Sequence, residues 1–112
     1  MIALEKSLDV DVLLLSAGFG KRLRPLTEYT PKPLIPFCGK TILERNLEMI
    51  ARSGVTELWI NLHYLGEQIE RFVGDGSKWD IGVRYSRENP ILDTGGAIKN
   101  IEAGLRHERL VI

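Results

Sequence analysis

Apolar runs and amphipathic stretches alternate along this chain, and that alternation leaves few folds open. Residues 10–16 (VDVLLLS) are nearly continuously apolar, as expected of a strand buried on both faces of a sheet. Thr41 and Glu44 then form a capping-box pattern, Leu43, Leu47 and Ile50 recur on one face, and Gly54 stops the helix in the usual position. Residues 55–61 (VTELWIN) read as a second strand. Leu65, Ile69, Phe72 and Val73 share one face of a second helix ended by GDGS, and residues 81–86 (IGVRYS) give a third strand. NPILDTGG is a turn-rich connection with Asp93 or Thr94 as N-cap. Ile98, Ile101 and Leu105 face inward from a third helix, His107 closes it, and RLVI starts a fourth strand. Strands alternating with helices predict an α/β fold: a three-layer, Rossmann-like arrangement around a mostly parallel sheet, cut off after about four strands.

In such sheets ligands gather at the carboxyl ends of the strands. Residues 17–40 leave the first strand at that edge and show neither helical nor strand periodicity, although a structureless loop of this length is uncommon in a compact domain. Residues 61–63 and 86–96 belong to the same edge. Lys21, Arg22, Arg24, Lys32 and Lys40 stand in the long loop against Glu28 alone, while the net charge of the whole chain is zero. That balance describes a local anion site and gives no field for nucleic acid or a membrane surface. Gly18-Phe19-Gly20 can turn sharply and present backbone N–H groups to phosphate. Two familiar cradles fail: a dinucleotide fingerprint needs glycine where Leu23 stands, and a Walker A loop ending at Thr41 needs it where Leu34 stands. Arg22 follows the glycines closely, and a planar guanidinium suits polyphosphate oxygens. Pro31-Lys32-Pro33 stiffens the backbone under a lysine, as a site must if an ammonium is to sit still beside a reacting phosphate.

The remaining features point to packing and turns. His63 has no second His or Cys at ligand spacing and reads as a hydrogen-bonded loop residue. GDGSKWD reads as a plain turn because Trp79 stands where a calcium loop needs an oxygen. Trp59 and Trp79 read as packing residues. Cys38 is the single cysteine, which excludes an internal disulfide and places the chain in a reducing compartment, the cytoplasm. No apolar run approaches the ~20 residues of a membrane span. Residues 1–9 lack the apolar core of a signal peptide and read as a short extension ahead of a domain at 10–112.

The string A-G-x-G-x-R-L-x-P-L-T followed by P-K-P-L resembles the sugar-1-phosphate nucleotidylyltransferases, and GVTELWIN, LGEQIE, GDGS and LDTGGAI resemble later stretches of the same family. Within it the match is closest to small bacterial members, among them N-acetylmuramate-1-phosphate uridylyltransferases and mannose-1-phosphate guanylyltransferases. The resemblance covers residue 10 to the last residue. It implies the nucleotide-diphospho-sugar transferase fold, with residues 10–112 as its N-terminal nucleotide-binding half. The reaction it implies joins a nucleoside triphosphate and a sugar 1-phosphate, releasing pyrophosphate.

Carried over by motif, Arg22 and Lys32 are the catalytic cations. Arg22 holds the triphosphate, and Lys32 bridges the reacting phosphate and the sugar phosphate. Leu15, Ala17, Gly18 and Gly20 line the base and phosphates. Gly95 approaches the base where a side chain would collide, and Asp93 is either a contact of the nucleotide or only the helix cap. Ser16 and Lys21 depart from the residues commonest in the family. The resemblance also implies Mg²⁺, with its aspartate ligand expected beyond residue 112, so that these residues alone are expected to be inactive. A non-catalytic nucleotide or sugar-phosphate sensor is the alternative on the same fold. Self-association through an unfinished sheet edge is a third expectation.

Overall fold

The computed structural model describes residues 10–18 and 20–112; the extension expected at residues 1–9 lies outside them. Four strands form the main sheet: β1 (Asp11–Leu14), β4 (Glu57–Leu62), β5 (Gly82–Arg87) and β6 (Leu110–Val111). Their order is β5-β4-β1-β6, and every neighbouring pair is parallel. The chain therefore builds outward from β1 on one side and returns to its other side, which makes β1 the point where strand order reverses. Three helices fill the crossovers: α1 (Ile42–Arg52), α2 (Gly66–Val73) and α3 (Thr94–Ile101). The expected parallel α/β architecture is what the chain forms.

Side-chain alternation divides the core into two layers. Val12, Leu58, Ile60 and Leu62 face α1 and α2, where they meet Leu43, Leu47, Ile69 and Val73. Leu13 points the other way and packs with Ala97 and Ile101 of α3, joined by the partly buried Trp59, Ile98 and Leu105. A strand that is apolar on both faces is the physical origin of the continuous run read at residues 10–16. Leu13, Leu43, Leu47, Ile60 and Ile69 have no exposed surface, and burial of each such side chain stabilises the fold by about 1.5–3 kcal/mol.

The helix signals act as read. Thr41 Oγ1 accepts from the Glu44 N–H at 3.0 Å, and Gly54 follows α1 at φ +87°. Asp93, rather than Thr94, caps α3.

Two expectations are corrected. Residues 17–40 are not without structure: they hold 3-10 turns at Lys21–Leu23 and Lys32–Leu34, and a short antiparallel hairpin of β2 (Pro36–Phe37) and β3 (Lys40–Thr41). Two-residue strands are too short to carry a period, so alternation could not reveal them. His107 does not close α3, which ends at Ile101 and passes into a 3-10 turn, Glu102–Gly104. Its backbone N–H is instead taken up by Asp11 Oδ2 at 2.8 Å.

Candidate functional site

An open cleft of about 460 Å³ lies beyond the carboxyl ends of β1 and β4. One wall is the exit of β1, with Leu15, Ser16, Ala17 and Gly18, and the facing wall is Ile91, Leu92, Asp93 and Thr94. Gly20 and Lys32 close one end. These two residues also line a second concavity of about 380 Å³, together with Lys21, Arg22 and Leu23. The two hollows thus meet at Gly20 and Lys32: one is walled largely by backbone and apolar side chains, the other rimmed by cations.

The cationic end is held from beneath. Gly20 adopts a left-handed conformation (φ +65°), and a Cβ there would lie 2.8 Å from Thr27 Cγ2 and 3.3 Å from Lys32 Cβ. Thr27 is fully buried, and its hydroxyl donates to the Gly20 carbonyl at 2.7 Å. The Tyr64 hydroxyl donates to the Thr27 carbonyl at 2.8 Å, and Gln68 Nε2 donates to the Tyr29 carbonyl at 2.8 Å. The loop is therefore fastened to the start of α2. Beneath Lys32, Pro31 is fully buried, and Leu34 N–H closes a turn onto the Pro31 carbonyl at 2.9 Å. Arg22 and Lys32 are themselves exposed. Among the described residues no carboxylate pairs with either. Two exposed cations on a fastened loop, Lys32 at the join of the two hollows and Arg22 in the second, suit a ligand carrying several negative oxygens.

The facing wall is fastened by a different set of bonds. Ser16 N–H donates to Asn61 Oδ1 at 2.5 Å, Asn61 Nδ2 donates to Glu88 Oε2 at 3.0 Å, and Leu92 N–H donates to Glu88 Oε1 at 3.0 Å. Two buried side chains thus bridge from one wall to the other. His63 Nδ1 donates to the Glu88 carbonyl at 2.6 Å, the hydrogen-bonded loop role read for it. Asp93 Oδ1 accepts from Gly96 N–H at 2.7 Å, so the capping role is real, and the same residue lines the cleft.

Of the residues singled out from sequence, Leu15, Ala17, Gly18, Gly20, Lys32 and Asp93 come together on this cleft, with Arg22 in the adjoining hollow. Gly95 stands apart in the first turn of α3. Among the described residues a Cβ there would meet only Asp93 Oδ1, at an ordinary 3.7 Å, so none of them demands glycine. Thr27, Tyr64, Asn61 and Glu88 were not singled out as site residues. Asn61 carried a signal, because asparagine is depleted in strands and here ends an apolar one. Nothing in the spacing around Glu88 marks it. As for a metal, no group of three or more His, Cys, Asp or Glu side chains comes together among the described residues. Asp93, the acid on the cleft wall, already has one oxygen on the α3 cap. These residues do not make a Mg²⁺ site by themselves.

An open parallel sheet with its cleft at the point of strand reversal defines the open-sheet α/β class, and the solved structures it superposes on give it the nucleotide-diphospho-sugar transferase fold. The chain belongs to the nucleotidyl transferase family, whose model matches residues 11–112. It is 44% identical over 87 residues to the N-acetylmuramate alpha-1-phosphate uridylyltransferase of Neisseria meningitidis serogroup B, covering 77% of this chain and 38% of that protein. It is 40% identical over 91 residues to the mannose-1-phosphate guanyltransferase of Hypocrea jecorina, covering 80% of this chain and 25% of that one. Among solved structures, HddC from Yersinia pseudotuberculosis complexed with GMP-PN superposes with a TM-score of 0.74 at 33% identity, over 86% of this chain and 43% of HddC. The chain thus spans well under half the length of the relatives it matches. The family read from the first-loop motif is the family found.

Proposed function

We propose that the protein carrying this chain transfers a nucleoside monophosphate from a nucleoside triphosphate to a sugar 1-phosphate. A phosphate oxygen of the sugar 1-phosphate attacks the α-phosphorus, the bond from that phosphorus to the bridging oxygen of the β-phosphate breaks, and pyrophosphate leaves with the electron pair. The nucleophile is already ionised, so no general base is required. The task left to the protein is to bring two polyanions together and hold them in line. Arg22 takes the triphosphate end, and Lys32, at the join of the two hollows, faces both the reacting phosphate and the sugar phosphate. Leu15, Ala17, Gly18 and Gly20 form the wall for the nucleoside and its phosphates, with Asp93 on the opposite side and Gly95 beyond it in the first turn of α3, open to the base.

The observation that carries this proposal is the pair of cations, without carboxylate partners among the described residues, on a fastened loop where a backbone-walled cleft opens into a cationic one. The activities for which the relatives are named support it and favour an enzyme over a sensor. Mg²⁺ belongs to the proposal through the charge of the reactants. A cytoplasmic setting belongs to it through the single, exposed Cys38.

The test is a panel of UTP, GTP, CTP, dTTP and ATP against sugar 1-phosphates with the full-length protein, read as pyrophosphate release. One pair is expected to release pyrophosphate only when both partners are present. Tight nucleotide binding with no release for any pair would transfer the case to the sensor.

A further inference from the structure

The bridge beneath the cleft has a direction. Ser16 N–H at one end and Leu92 N–H at the other are both backbone donors, so the side chains between them must accept at both ends. Asn61 accepts at Oδ1 and donates from Nδ2, which passes the direction on unchanged. Position 88 is then required to accept twice, from Asn61 and from Leu92. A carboxylate does this. A glutamine amide cannot, because every rotation of it or of Asn61 leaves one N–H aimed at another. Water is poorly placed to absorb the mismatch, since Ser16, Asn61 and Glu88 are 4%, 4% and 3% exposed. Glu88 is also held by its own backbone: its N–H donates to the Leu62 carbonyl at 2.8 Å, and its carbonyl accepts from His63. Each polar atom of the two side chains thus has a partner within the bridge, although Asn61, which also lines the cleft, keeps a second amide hydrogen.

We propose that Asn61 and Glu88 are a positioning pair, a buried strut of matched polarity that fixes residues 15–18 against residues 91–94. The strut sets how closely the nucleoside end of the cleft fits, and it acts through the walls rather than by touching the base. The nucleotide part of this inference rests on the function proposed above; the strut itself does not.

Matched polarity makes a specific prediction, because the direction can be reversed. With Asn61→Asp and Glu88→Gln together, the carboxylate introduced at position 61 would accept from Ser16 N–H and from the amide introduced at position 88. The oxygen of that amide would accept from Leu92 N–H. Each backbone donor has an acceptor again, the bond between positions 61 and 88 is restored in the opposite sense, shape is nearly conserved and the net charge is unchanged. Either change alone leaves a mismatch, donor against donor or carboxylate against carboxylate.

The experiment uses the full-length protein as wild type, both single variants and the double. Thermal midpoint and dissociation constants for UTP and GTP are measured for each. Each single is expected to lower the midpoint by roughly 3–8 °C and to weaken the better-bound nucleotide about tenfold. The double is expected to recover both, to within about twofold in affinity. If a single fails to fold, a folded double still counts as recovery. A double no better than the worse single overturns the strut. A double that recovers the midpoint but not affinity, or that changes the UTP to GTP ratio, overturns the positioning role in favour of direct contact with the base. Should the wild type bind neither UTP nor GTP, affinities are measured with whichever nucleotide of the five-member panel it binds; should it bind none of the five, the functional proposal fails, and the midpoints alone decide the strut.

Discussion

At the amino end of β1, Asp11 Oδ2 accepts from the backbone N–H groups of Arg106 (2.9 Å) and His107 (2.8 Å). At the carboxyl end, Glu88 accepts from the backbone of Leu92 and, through Asn61, reaches the backbone of Ser16. Both ends bind a distant loop with a buried carboxylate, yet the spaces left behind differ. At the amino end, among the described residues, a hollow of about 10 Å³ lies between Asp11, Glu57, Trp59 and Gly104, scarcely the room for one water. The carboxyl end keeps about 460 Å³. Charge follows the same division. Arg106 pairs with Glu57 at 3.0 Å, and the Arg84 guanidinium lies 5.7 Å from the centre of the Trp59 ring. Arg22 and Lys32, by contrast, have no carboxylate partner among the described residues. Among the described residues, the amino end pairs Arg106 with Glu57 around a hollow too small to hold a ligand; the carboxyl end spans its gap with two side chains and leaves Arg22 and Lys32 to something else. The opening is therefore built, with the bonds that maintain it buried, and is not a failure to pack.

The largest expected effect breaks the comparison on its charged side. In the full-length protein, Arg22→Ala is expected to lower turnover about 100-fold or more while the thermal midpoint stays within a degree or two, because the side chain is exposed. Near-wild-type pyrophosphate release would remove Arg22 from the reaction.

A pair of glycines tests the division next. Gly20→Ala forces a left-handed alanine and places its Cβ 2.8 Å from Thr27 Cγ2. Gly104→Ala places a Cβ 2.6 Å from Trp59 Cζ2 at the closed end. Each is expected to cost about 2 kcal/mol in denaturant unfolding. Only Gly20→Ala is expected to weaken nucleotide binding as well, since only that residue borders both hollows. Equal losses of affinity in the two variants would mean that the ends of the sheet are not independent.

The two ends were unequally legible in the sequence. The strands, helices and caps were readable because each follows a local rule: alternation or continuous apolarity for β1 and β4, the hydroxyl of Thr41 before α1, Asp93 before α3. The glycine-opened loop was readable because its residue types are costly without a reason, and the family match rests on the same string. The hairpin of β2 and β3 was hidden because two residues carry no period. Thr27, Asn61 and Glu88 were hidden for a different reason. Each acts through a partner between 7 and 45 positions away, and such pairings are decided only when the sheet brings its strands together. Asp11 belongs to that group too, since a carboxylate inside an apolar run makes sense only once residues 106 and 107 have returned beside it.

A smaller effect is expected from Asp11→Asn. The amide oxygen can still accept from both N–H groups, so what is lost is the negative charge, worth about 1 kcal/mol. Nucleotide affinity should not change. A shift in affinity larger than about twofold would show that the amino end reaches the cleft.

The smallest effect lies outside both ends and serves as their control. The Tyr85 hydroxyl donates to the Gly74 carbonyl at 2.5 Å, tying β5 to the turn after α2. Burial first, then the nearby charges of Glu70 and Asp75, push its phenol up to about 12. The unfolded chain releases this proton near pH 10, so the folded state holds it more tightly. The stability it contributes is complete below about pH 10 and is lost as pH rises through about 12. Other groups titrate in that window, so the readout is a difference: the urea midpoint of the wild type should fall more steeply between pH 10 and 12 than that of Tyr85→Phe. Partial exposure to solvent keeps the difference modest. Parallel curves would mean that Tyr85 ionises as freely in the folded protein as in the unfolded one. A difference abolished by saturating UTP or GTP would mean that β5 feels the cleft, and the separation of the sheet's two ends would have to be redrawn to include its edge.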